Sequence, residues 1–187
     1  MTKTMSIQAF TSDFHFGHAN IIKYSERPFG NVYEMREVFI RNYNEVVGPN
    51  DTVLWLGDCF FRDQEGFIDA VRRMNGRKLL VLGNHDKSPG LMAGLGFDLV
   101  MTECLVHIAD RTCRVSHYPY AGLESDTRGK PDRFLERRPK RVKGEVLLHG
   151  HTHSKKKRIG NMIHVGVDAW DYRPATFAEV EAIVRQV

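Results

Sequence analysis

The chain has 187 residues, 42% hydrophobic and 27% charged, with a formal charge of +4 and a pI near 9.0. That make-up fits a soluble globular protein of one domain, 1–187, with a modest bias toward anionic partners. It excludes a disulfide scaffold, a CxxC zinc pattern and a membrane span, and the opening MTKTMSIQAF has no signal-peptide core, so a reducing cytoplasm is the expected location.

Residues 6–10 read as a first strand that stops at Thr11-Ser12-Asp13-Phe14-His15. The loop Phe16-Gly17-His18 runs into a short helix through Ile21 and Ile22. Asn31 is the expected N-cap of a helix over 32–47, with Val32, Met35, Phe39, Tyr43 and Val46 at helical spacing and Gly48-Pro49 as its stop. A second strand, 52–56, stops at Gly57-Asp58. A helix over 64–74 follows and Asn75-Gly76 closes it. The apolar run 79–82 is a third, buried strand ending in Gly83-Asn84-His85-Asp86. This β-α-β-α-β order with short links predicts a parallel sheet with right-handed crossovers.

From residue 99 the pattern changes. Short apolar strands at 99–101, 105–108, 113–116, 145–149 and 162–167 have little helix between them. They predict a second, more antiparallel sheet, so the expected fold is α/β: two packed mixed sheets flanked by helices. A last helix over 177–187 follows Pro174, with Thr176 and Glu179 spaced as a capping box. The irregular stretch 118–142 is read equally as a functional lid or a surface loop.

Metal-type donors stand at the strand ends: Asp13 and His15, Asp58, Asn84 and His85, His117, and His151 and His153. Asp13-Phe14-His15 and His151-Thr152-His153 share an i, i+2 spacing that, in extended backbone, puts both side chains on one side. Open α/β sheets gather ligands at such strand ends, so five separated pieces of chain can converge. Carboxylates, imidazoles and amides suit Mn, Fe or Zn. They outnumber the positions around one tetrahedral ion, which favours two ions with Asp58, alone at its strand end, as the bridge. Taken singly, Asp13, Asp58 and Asn84 are also the residue types of turns and caps.

In this order D-x-H, G-D, G-N-H-D, a lone His and G-H-x-H resemble the motifs of the calcineurin-like metallophosphoesterases. They span residues 13–153. The match is closest to small stand-alone bacterial or phage-type members, on Phe16-Gly17-His18-Ala19-Asn20-Ile21-Ile22 and Val165-Gly166-Val167-Asp168-Ala169-Trp170. The resemblance implies the family's four-layer α/β sandwich. It implies Asp13, His15, Asp58 and His153 on one divalent ion and Asp58, Asn84, His117 and His151 on the other. It makes His85 a non-ligand that contacts phosphate and protonates the leaving oxygen. The implied reaction is phosphoester hydrolysis by a hydroxide that the two cations generate. Manganese is the first expectation from the resemblance, with Fe, Zn, Ni or Co as alternatives.

One segment departs from a related pattern. Gly57 to Asp63 partly matches the G-D-x-V-D-R-G of protein Ser/Thr phosphatases, and Arg62 falls on its phosphate-binding arginine. Phe61 replaces the aspartate that orients the histidine there, and Asp63 replaces the glycine, so protein phosphatase activity is disfavoured. Asp86 is then an alternative support for His85. Candidate substrate contacts are Asn84, His85 and Arg62.

Other residues have blander readings. His18 and Asn20 either contact substrate or start a helix. His107, His149 and His164 are read as structural, Asp168 as a turn residue rather than a brace, and Cys59 as a small buried side chain. The basic runs 133–143 and 155–158 are read as solvated faces, and the second, which begins two residues after His153, is alternatively a rim that steers a nucleotide or nucleic acid. Phosphodiesters are slightly favoured. The alternatives are a phosphomonoesterase of the same fold and a basic nucleic-acid-binding protein with a structural metal site, disfavoured by its lack of cysteine ligands.

Overall fold

A computed structural model describes residues 6–122 and 134–187. Among these, the chain forms two five-stranded sheets. The first is built from β1 (Ala9–Thr11), β2 (Thr52–Trp55), β3 (Arg77–Val81) and β4 (Leu99–Met101), all parallel, with β10 (Ala175–Thr176) antiparallel on β1. The crossovers carry α1 (Ala19–Tyr24), α2 (Val32–Val46), α3 (Gln64–Arg73) and α4 (Pro89–Gly94).

Local rules explain the helices. Asn31 caps α2 as expected, its side-chain oxygen accepting the backbone N–H of Tyr33 and Glu34 at 2.9 Å each. Asp63 does the same for α3 through Gly66 N–H at 2.9 Å. The last helix, α5 (Phe177–Val184), starts with the expected Thr176–Glu179 capping box. No helix of the described residues is long and apolar enough to cross a membrane.

The second sheet runs β5 (Glu103–Ile108), β6 (Arg111–Ser116), β7 (Val146–His149), β9 (Met162–His164) and β8 (Arg158–Ile159) in spatial order. It is evenly mixed rather than mainly antiparallel. β5–β6 and β8–β9 are antiparallel, whereas β6–β7 and β7–β9 are parallel.

Strand periodicity sorts the core. Phe10, Leu54, Leu79 and Val81 point from the first sheet toward Ile108, Val115, Leu148 and Ile163 of the second, and Trp170, Val180 and Val184 close that layer. The opposite side chains, Val53, Trp55 and Leu80, pack under Met35, Phe39, Tyr43, Phe67 and Val71 of α2 and α3. Burying each such side chain is worth about 1.5–3 kcal/mol before conformational entropy is subtracted.

Several expectations need correction. Residues 99–101 belong to the first sheet, because the short α4 returns the chain beside β3. The first strand is Ala9–Thr11 rather than 6–10, and residues 167–169 form a 3₁₀ turn instead of continuing the strand over 162–167. Part of the predicted lid and the Arg133 end of the first basic run lie outside the described residues.

Candidate metal centre

All five donor loops emerge at one end of the two sheets. The backbone there is unusual: φ is 62° at Asp13, 52° at His15, 52° at Asp58, 72° at His151 and 51° at His153. L-residues seldom adopt this left-handed region, and such strain clusters at functional sites. The i, i+2 pairs therefore converge through left-handed turns, not through an extended pleat as their spacing predicts. Hydrogen bonds hold the turns. Asp13 and His15 N–H donate to the carbonyls of Gly57 and Asp58, both at 3.0 Å, and Phe16 N–H to Cys59 O at 3.0 Å. His151 N–H donates to both Asp13 carboxylate oxygens at 3.0 Å.

The packing leaves no room for side chains at the glycines of the donor loops. A Cβ on Gly57, where φ is +89°, would stand 2.4 Å from Gly83 N, and one on Gly150 would stand 2.0 Å from Ser12 Oγ.

Among the described residues the donors form three groups, each with its ligand atoms within 4.8 Å: Asp13, His15 and His153; His15, Asp58 and His85; and Asp58, His117 and His151. One atom, Asp58 Oδ2, lies 3.4 Å from His15 Nε2 and 3.6 Å from His117 Nε2. His15 Nε2 is 3.2 Å from His153 Nε2, and His117 Nε2 is 3.2 Å from both His151 Nδ1 and Asn84 Oδ1.

Proton positions follow from the outer partners. His117 Nδ1 faces the Leu56 carbonyl at 2.6 Å and must donate to it. His153 Nδ1 faces Asp168 Oδ2 at 2.9 Å and donates likewise. Where both rings are neutral their Nε2 atoms turn lone pairs inward, and His117 then meets the carbonyl oxygen of Asn84 lone pair to lone pair, although against the cost of burial the Asp168 bond raises the His153 pKa. A cation between such atoms relieves the repulsion, so the donor set fits divalent ions. Burial, with His153 and other cationic neighbours, pushes His15 well below its ordinary pKa. Burial and then His117 push His151 down to about 2. Both imidazoles are neutral, ligand-competent bases at neutral pH.

His85 is half-buried beside this cluster. Its backbone N–H donates to Asp58 Oδ1 at 2.9 Å, and its ring lies 5.1 Å from that of His15. Phe61, standing where the phosphatase motif has its orienting aspartate, packs edge-on to His85 at 5.5 Å and to His18 at 4.4 Å. Asp86 does not take over that role. Its carboxylate accepts the N–H groups of Asp58, Cys59 and Gly83 at 3.0, 2.9 and 2.8 Å. Arg62 is exposed, its guanidinium 5.0 Å from the Phe61 ring. His18 begins α1 without a side-chain cap, yet its ring stands 5.6 Å from His15 and 6.3 Å from His85. Burial and His85 hold its pKa down to about 4.

Asp168 departs from its turn reading. At the middle of the 3₁₀ turn Val167–Ala169, it braces His153 and takes a two-pronged ion pair from Arg27. Arg27 escaped the sequence reading, since an arginine before a proline in a loop carries no signal. His149 and His164 are buried with rings 5.3 Å apart, His164 Nε2 standing 4.0 Å from Asp13 Oδ2; His107 is an exposed residue of β5, and Cys59 is, as read, a buried core residue. Lys155 to Arg158 are exposed near His153, with Lys155 3.6 Å from Glu26 and Lys157 4.1 Å above the Trp170 ring. A cleft of about 590 Å³ opens to one side of the donors, lined by Gly83, Asp86, Lys87, Tyr118 and Arg137. Its Tyr118 wall also borders His117 and His151, with ring separations of 4.9 and 5.2 Å.

Known proteins match this chain over most of its length. The gene 66 protein of Mycobacterium phage L5 is 32% identical over 189 residues, covering 89% of this chain and 88% of that protein. Its counterpart in Mycobacterium phage D29 is 31% identical, covering 89% and 90%. The crystal structure of the Aquifex aeolicus protein AQ665 superposes with a TM-score of 0.70 at 26% identity, covering 94% of this chain and 97% of that one. A family model for calcineurin-like phosphoesterases matches residues 9–155, a stretch that holds every donor loop. The chain belongs to the calcineurin-like phosphoesterases, metal-dependent hydrolases of phosphoesters.

Proposed function

We propose that the chain acts as one domain that hydrolyses phosphodiesters, with two divalent ions held at the centre. Asp13, His15, Asp58 and His153 would hold one; Asp58, Asn84, His117 and His151 would hold the other. The observation that carries this reading is the Asp58 carboxylate, one oxygen of which faces donors of both groups at 3.4 and 3.6 Å. Manganese is the first expectation from the family, and the mixed carboxylate, imidazole and amide set also accepts Fe, Zn, Ni or Co. When bound, the ions supply Lewis-acid charge to the phosphate and lower the pKa of a water.

The chain's own residues do the rest. His85 carries a proton to the departing oxygen as general acid. Its backbone bond to Asp58 and the edges of Phe61 and His15 keep it beside the donors. Asn84 and Arg62 contact the phosphate oxygens, Arg62 from the solvent side. Two features favour a diester. The lateral cleft has room for a second ester substituent, and the exposed Lys155 and Lys156 favour a polyanion such as a nucleotide or nucleic acid. A purely structural metal site is disfavoured, because structural sites are closed and cysteine-rich.

The test is hydrolysis of bis-p-nitrophenyl phosphate and p-nitrophenyl phosphate with and without Mn²⁺, comparing wild type, His85→Ala and Asp58→Asn. Mn²⁺-dependent turnover of the diester, lost in Asp58→Asn and lowered about 10²–10⁴-fold in His85→Ala, is expected. Preference for the monoester would replace the diester reading. An unchanged rate in His85→Ala would remove His85 from its role.

A further inference from the structure

His153 and His117 turn the same nitrogen toward the centre but stand on different supports. Behind His117 is a neutral carbonyl, Leu56 O, at 2.6 Å. Behind His153 is a carboxylate, Asp168 Oδ2, at 2.9 Å. Asp168 in turn receives Nε and Nη2 of Arg27, each at 2.8 Å, and the two side chains are only 0% and 1% exposed. The guanidinium does not stop there. Nη2 also donates to Asp13 O at 2.7 Å and Nη1 to Phe14 O at 3.0 Å. One buried cation thus ties the support of His153 to the backbone of the Asp13-Phe14-His15 turn. Asp13, His15 and His153 are the donors that the first position does not share.

Chemistry makes this arrangement unequal between the two positions. A carboxylate behind an imidazole fixes its tautomer and orientation and makes the opposite nitrogen a stronger donor than a carbonyl does. The Arg27 pair keeps that carboxylate charged and immobile inside the protein, and the same arginine holds the left-handed turn that presents Asp13 and His15. We propose that Arg27 and Asp168 are positioning residues that make the Asp13–His15–His153 position the tighter of the two cation sites, so that it fills first. This rests on the dinuclear reading above.

The experiment is calorimetric titration of chelator-stripped protein with Mn²⁺, followed in parallel by electron paramagnetic resonance. Wild type is expected to show two classes of site, with an isolated-ion signal at one equivalent and a coupled-pair signal at two. Asp168→Asn should weaken the tighter class about 10–100-fold and leave the weaker class unchanged. Should that variant fail to fold because Arg27 loses its counter-charge, Arg27→Met combined with Asp168→Asn removes both charges and must give the same selective loss. Equal weakening of both classes, or no change in either, overturns the proposal while leaving the dinuclear reading standing. Failure of wild type to bind Mn²⁺, Zn²⁺, Co²⁺ or Ni²⁺ at two sites would overturn the dinuclear reading and this inference with it.

Discussion

Asp86 accepts the backbone N–H of Asp58 at 3.0 Å, so the loop after β3 holds the donor at the end of β2 in place. The same carboxylate takes Cys59 N–H and Gly83 N–H, at 2.9 and 2.8 Å, and thereby pins both loops. Asp86→Ala would strand three amide groups that have little access to water. The expected cost is about 2–3 kcal/mol, read from the shift of the urea midpoint at constant slope. Mn²⁺ affinity should fall with it, because the strained Asp58 conformation loses its support. An unchanged midpoint would show that the loops hold themselves.

Gly57 tests the close approach of those two loops. A Cβ there would meet backbone atoms of Gly83 at 2.4 and 2.6 Å, and φ is +89°. Backbone cannot swing aside as a side-chain tip can, so Gly57→Ala should destabilise by more than about 2 kcal/mol and abolish Mn²⁺ binding. Gly90 is the control. It lies in α4 with nothing within 4 Å of an added Cβ. Gly90→Ala should raise stability by about 0.5–1 kcal/mol, read as a slightly higher melting temperature.

Local rules made much of this molecule legible. Asn31, Asp63 and Thr176 act on N–H groups within three residues of themselves, so composition alone marks the start of α2 and α5. The donor loops were legible because each apolar strand stops abruptly at Gly, Asp, Asn or His, and the structure brings all of those ends together. What failed was non-local. Leu99-Val100-Met101 reads as a strand but says nothing of its partner, which a six-residue helix decides. β8 and β10 are two residues each and leave no periodicity to detect. The left-handed backbone at Asp13, His15 and Asp58 is imposed by neighbouring loops, since none of these residue types demands it. The Arg27–Asp168 pair joins positions 141 residues apart, beyond any motif window.

Glu179 supplies a pH test away from the centre. The Arg173 side chain, at 2.6 Å, and the capping contacts from Thr176 lower its pKa to about 2, against 4.5 for a free glutamate. A carboxylate depressed on folding stabilises the native state above the unfolded value and loses that contribution as pH falls toward its folded value. Glu179 is partly exposed, so solvent screening reduces the ion pair, and the capping bonds set the scale. Glu179→Ala should cost about 1 kcal/mol at pH 7, and the gap from wild type should close between pH 4.5 and 2 in urea titrations. A gap independent of pH would assign the loss to packing rather than to charge.

The cations that begin two residues after His153 offer the sharpest test of substrate class. Among the described residues Lys157 is committed to the Trp170 ring, and Lys155 has only an exposed contact with Glu26, worth little in water. Lys155 and Lys156 are therefore available to phosphates that flank the scissile one. Each contact to a single strand adds about 0.7 to the negative slope of log affinity against log salt. For a short single-stranded oligonucleotide, changing both lysines to Glu should lower kcat/KM about 10-fold or more and flatten the salt slope by roughly one to two units. Bis-p-nitrophenyl phosphate has no flanking phosphate, so its turnover should not change. A loss shared by both substrates would mean damage to the centre, and a loss on neither would make residues 155–158 a solvated face and turn the search toward small diesters that fit the cleft beside Tyr118.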